Sequence, residues 1–112
     1  MAPGAHAADL LTHARMYAIA DRLLVTGLKA LAAAEFRLAC LHFWKEPEFG
    51  LAAEYVFLST PDEDKSLRSL VCKTIAEHSE LVKDEKVDYL LKEHKGFAYD
   101  LLQEKVVKMG GV

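Results

Sequence analysis

The chain has little that punctuates it: three prolines, six glycines, two cysteines and one tryptophan among 112 residues. No apolar stretch approaches the roughly 18 residues that span a bilayer. Met1 to Asp9 lacks the cationic segment and apolar run of a secretory leader. Lys and Arg form no stripe, and the net charge is −3. No nucleic-acid partner is therefore expected, and no anionic membrane surface, since both want clustered cations. Cys40 and Cys72 can form one disulfide on paper, but buried free thiols are the favoured reading. Together these absences point to an intracellular, reducing compartment. Strand signals are missing too: no six-residue alternation of apolar and polar side chains occurs, and no Asn-Gly or Asp-Gly turn.

Catalytic and metal signatures are equally scarce. The acidic run Asp62-Glu63-Asp64 suggests a calcium loop, yet an EF-hand opening at Asp62 needs glycine at its sixth position and glutamate at its twelfth. Those places hold Leu67 and Lys73. The five histidines are His6, His13, His42, His78 and His94, and none pairs with a cysteine or another histidine at zinc spacing. No glycine-rich phosphate loop exists. The serines sit at helix starts or among charges, where capping and solvation account for them. The expectation is a protein without cofactor, metal or catalytic residues.

What is present is helix. Apolar residues make up 52% and charged residues 28%, a soluble composition for one domain of this length. Asp9 is a candidate cap for a first helix carrying Leu10, Leu11, Ala14, Tyr17, Ala18 and Ala20. A second helix, with Thr26 as candidate cap, runs through Leu28, Leu31, Ala32, Phe36, Ala39 and Phe43. Pro47 fits the first turn of a third, which must end near Ser59 because Pro61 disfavours helical geometry before it. Thr60-Pro61-Asp62-Glu63 reads as a capping box opening a fourth helix with Leu67, Leu70, Val71, Thr74, Ile75 and His78. A short fifth helix spans Asp84 to Glu93; Gly96 ends or bends it, and Phe97 to Val106 form a sixth. The predicted fold is all-α, one bundle of about six short helices, hairpin-stacked or orthogonal. Residues 1–8 are expected to be a flexible N-terminus, 9–108 the helical domain and 109–112 a tail.

Trp44, with Phe43 and Phe49, brackets a Lys-Glu-Pro connector. It can be a partner's hot spot or can fold back to seal the core, and core sealing is favoured.

His13-Ala14-Arg15-Met16-Tyr17-Ala18-Ile19-Ala20-Asp21-Arg22, then Leu28-Lys29-Ala30-Leu31-Ala32 and Phe36, resembles the last helical hairpin of a BTB/POZ domain. The following residues, including Trp44, Phe49, Val56-Phe57, Thr60-Pro61, Leu67-Arg68, Ile75-Ala76, His78 and Phe97-Ala98…Leu101-Leu102, resemble the helical extension of fungal BTB proteins. The resemblance covers residues 10 to about 103, and by it the helical domain 9–108 divides into a BTB-like terminal hairpin over 9–43 and a helical extension over 47–108. It implies a protein–protein interaction module, in its specific form part of a ubiquitin-ligase substrate adaptor with a cullin scaffold as partner. Leu23-Leu24 departs from the family's usual aromatic, and the chain has no counterpart of the family's opening β-sheet and helices, which form its dimer interface and most of its cullin-docking surface. If the hairpin normally packs against such a core, apolar residues of the first helix (Leu10, Leu11 or Tyr17) are left with solvent on one side. That predicts partner binding there and at Trp44, and a homo-oligomer, most simply a dimer, through the first two helices. Two other readings stand beside it: a small enzyme or ligand-binding bundle with a pocket at Tyr17, His78 or Cys72, and a transcription-linked BTB module.

Overall fold

The computed structural model describes residues 5–110, with side chains as far as Val106. It is all-α, with no strand among the described residues: α1 (Asp9–Arg22), α2 (Thr26–Phe43), α3 (Pro47–Ser59), α4 (Ser66–Glu77), a 3₁₀ turn (Ser79–Lys83), α5 (Glu85–Glu93) and α6 (Lys95–Gly110). A radius of gyration of 13.4 Å is that of one compact domain of this length. The antiparallel hairpin of α1 and α2 is the most extensive helix pair. Next, α3 packs on α1, α4 lies between α2 and α6, and α5 bridges α3 and α6. One core joins them all. Phe36, Phe49, Phe57 and Phe97 are fully buried at its centre, with Leu10, Leu67, Ile75 and Leu90 around them.

Several boundaries follow directly from local chemistry. Pro47 occupies the first turn of α3, where its missing N–H removes no helical bond. Thr60, before Pro61, is extended and stops that helix. Asp84 caps α5, its carboxylate accepting from the backbone N–H of Lys86 at 2.8 Å and of Val87 at 3.3 Å. Gly50 of α3 lies against this cap: a Cβ there would come 2.5 Å from the Asp84 carboxylate.

Other expectations are corrected. Asp9 is the first residue of α1 and not its cap; its carboxylate accepts from the His6 N–H at 3.0 Å. Thr26 likewise lies inside α2, and Val25 precedes it without a side-chain cap. The capping box at Thr60 does not form, because α4 starts only at Ser66. Thr60 instead donates its hydroxyl to the Val56 carbonyl at 2.7 Å and accepts from Arg68 Nε at 2.8 Å. Gly96 sits within the first turn of α6, and His94 Nδ1 accepts from the Phe97 N–H there at 3.0 Å. Of the expected tail, residues 109 and 110 belong to α6, while 111 and 112 lie outside the described residues, as do residues 1–4 of the expected flexible N-terminus.

Candidate interaction surface

The α1–α2 hairpin divides its apolar residues between two faces. Leu10, Ala14, Tyr17 and Ala20 of α1, and Ala32, Phe36, Ala39 and Cys40 of α2, recur every three or four residues and are buried. Met16 and Ile19 on α1, and Leu31, Ala34, Leu38 and Leu41 on α2, recur at the same spacing on outward faces and are exposed. The hairpin is apolar on both sides. An alanine-rich α2 permits this, since alanine fits the close inner contact and leaves leucine for the outside.

The tip of the hairpin is apolar as well. Leu23 is 67% exposed and Leu24 86%, with Val25 beside them. The chain turns there through a closing motif in which the Val25 N–H reaches the Ala20 carbonyl at 2.9 Å and the Leu24 N–H the Asp21 carbonyl at 3.2 Å. That motif places Leu24 at φ 59°, a left-handed conformation usually given to glycine. A bulky apolar residue therefore stands in solvent on a backbone that disfavours it.

Beneath the tip, a polar cluster holds the hairpin to the α3–α4 connection. The Tyr17 hydroxyl donates to both oxygens of Asp64, at 2.9 and 2.8 Å. The Ser66 N–H adds a bond to Asp64 at 3.2 Å. Lys29 Nζ donates to Asp21 at 2.8 Å, stands 3.6 Å from Asp64 and lies 5.2 Å from the Tyr17 ring centre. Burial raises the Tyr17 hydroxyl above its usual range, and the neighbouring Asp64 charge raises it further. Burial alone would raise Asp64 too, but the bonds from Tyr17 and Ser66, with the Lys29 charge, leave it below the ordinary carboxylate value. Tyr17, Asp21 and Lys29 of the BTB-like phrase thus meet in one network.

Two of the four expected partner-binding residues are corrected. Leu10 is 0% and Tyr17 2% exposed. Both lie on the inner face of α1, which the rest of this same chain covers, so neither is left for a partner. Leu11 is half-buried in an open groove of about 330 Å³ that also involves Arg15, Leu51, Tyr55 and Leu58. Trp44 is half-buried against the core and stacked on His78, ring centres 3.5 Å apart and planes 11° apart. It seals the junction between the ends of α2 and α4. The outward residues Leu38 and Leu41 were not singled out from the sequence, although they continue the three- and four-residue series of α2, and Leu23-Leu24 stood there only as a departure from the family's aromatic.

The side chains proposed for a pocket have separate partner sets. Tyr17 is bound to Asp64, His78 is stacked on Trp44, and Cys72 lies beside α6 at a recess of about 200 Å³ with Lys65, Asp100 and Glu104. Cys40 and Cys72 are free and buried, and burial pushes both thiols up to about 12. At neutral pH they are thiols, not thiolates. Among the described residues no group of three or more His, Cys, Asp or Glu side chains is placed to hold a metal ion, and no helix is long and apolar enough to cross a membrane. A recess of about 600 Å³ is an open cleft between α3 and α5 walled by Glu54, Glu85, Lys86, Asp88 and Lys92. Comparison with protein-family models, with curated proteins and with solved structures returned no match.

Proposed function

We propose that this chain is a protein–protein interaction module of BTB type that acts by binding, with the outer face and tip of the α1–α2 hairpin as its docking surface. One observation carries the reading: the hairpin's inner face is fully packed by the chain itself, yet its outer face is still apolar. Contiguous apolar surface of this kind on a soluble domain marks a place where another surface belongs. Leucines at the centre of such a patch, with charged residues at its rim, match the anatomy of protein interfaces.

The specific form of the proposal is part of a ubiquitin-ligase substrate adaptor, and its support is the BTB-like hairpin phrase. The experiment is affinity capture from cells with the longest natural chain that carries these residues, against the same chain bearing L23D and L24D. Both positions are exposed, so circular dichroism should report an unchanged fold. A cullin scaffold enriched by the unaltered chain and lost with the double variant supports the adaptor reading. No enrichment, or enrichment indifferent to the two substitutions, contradicts it.

A further inference from the structure

Resting on the interaction reading, we infer that the occupant of the α2 outer face is a second copy of this chain, paired parallel and in register across a two-fold axis. Gly27, Leu31, Ala34, Leu38 and Leu41 of α2 advance by four and three residues in alternation, the spacing of a coiled-coil seam. All five are exposed. They point away from the side that carries Ala32, Phe36 and Ala39 into the core, so a partner helix can approach without displacing anything. None is charged, and a seam of this composition meets its own copy without repulsion. Gly27 and Ala34 beside the leucines let two backbones come close.

The edges of the seam decide who pairs and in which direction. Glu35 borders it on one side and Arg37 on the other, at the flanking positions that set partner choice in coiled coils. Neither has an ion-pair partner among the described residues. Parallel pairing sets the Glu35 edge of each copy against the Arg37 edge of the other, twice over. Antiparallel pairing sets Glu35 against Glu35 and Arg37 against Arg37. Charge therefore selects the parallel dimer.

The area fits a modest complex. An 18-residue helix is about 27 Å long. Covering its outer face in both copies removes on the order of 1,000 Å² from water, the lower bound for a specific interface.

Sedimentation equilibrium of the full chain from low-micromolar to millimolar concentration tests the inference. The unaltered chain should pass from monomer to dimer, and L31E/L38E should stay monomeric with unchanged helix content. A control at the exposed Leu102 of α6, L102E, should leave the dimer intact. Direction is read by oxidative cross-linking of L31C and, separately, L41C: both link to themselves in a parallel pair, and an antiparallel pair can link at most one. A monomer at every concentration, a dimer indifferent to L31E/L38E, or cross-linking at only one position overturns the inference. Loss of cullin capture in L23D/L24D beside a monomeric unaltered chain would leave the docking reading standing and remove only the second copy.

Discussion

An arginine that leaves water must replace the hydrogen bonds it forfeits, and Arg68, at 1% exposure, keeps a partner on each guanidinium nitrogen. Its Nε donates to Thr60 Oγ1, its Nη1 to Asp62 at 2.9 Å, and its Nη2 to the carbonyls of Phe57 and Thr60. The guanidinium also lies 4.8 Å from the Phe57 ring centre. Asp62 is itself largely exposed, so the ion pair contributes little and the backbone carbonyls are the main partners. R68A takes the guanidinium donor from the Thr60 carbonyl, while the Phe57 carbonyl keeps His94 Nε2 at 3.2 Å, and should lower unfolding stability by about 3 kcal/mol in urea titration. R68K keeps the charge but not the planar fork, and should recover less than half. Asp64 gives a pH dependence of definite sign. Its folded pKa is below the ordinary value of 3.8, so its contribution is complete above that pH and fades as pH falls through the folded value. D64N should lower stability at neutral pH and flatten the acid limb of a stability-against-pH curve; an acid limb identical to that of the unaltered chain would contradict the network around Tyr17.

At the scale of elements, two positions make opposite predictions. Gly50 has no room for a side chain against the Asp84 carboxylate, and Asp84 must stay in place to cap α5. G50A should therefore cost about 1–3 kcal/mol, seen as a lower urea midpoint with α5 amides exchanging faster. Leu24 holds a left-handed conformation in solvent, so L24G should raise stability by about 1 kcal/mol in the same titration. Helices were legible where local signals act alone: Pro47 opening α3, Pro61 closing it, Asp84 opening α5. They were misread where a distant residue competes. Thr60-Pro61-Asp62-Glu63 has the letters of a capping box, but Arg68, eight residues on, takes Thr60 and Asp62 for its own hydrogen bonds, and the helix starts later. No short window contains that competition. The faces of α2 were ambiguous for another reason: leucine and alanine surround the helix, and Leu31 was grouped with Phe36 although the two point to different sides. Leu10 and Tyr17 were placed outward by assuming a missing partner, where α3 and the α3–α4 connection supply the cover.

At the scale of the molecule, six helices close one core around four phenylalanines and still leave the outer face of the α1–α2 hairpin apolar and exposed. Apolar packing closes that core, and on the reading proposed above the hairpin's outer face is kept for another protein. Both statements rest on the same division of the two helices into an inner and an outer face. A second copy on the outer face is tested most directly by a concentration series of backbone amide NMR spectra on the full chain. The account predicts that shifts grow with concentration at Leu23 to Leu41, centred on the outer positions of α2, while the amides of α3 and α5 stay still. Spectra that do not change, or changes centred on the α3–α5 cleft, would contradict it.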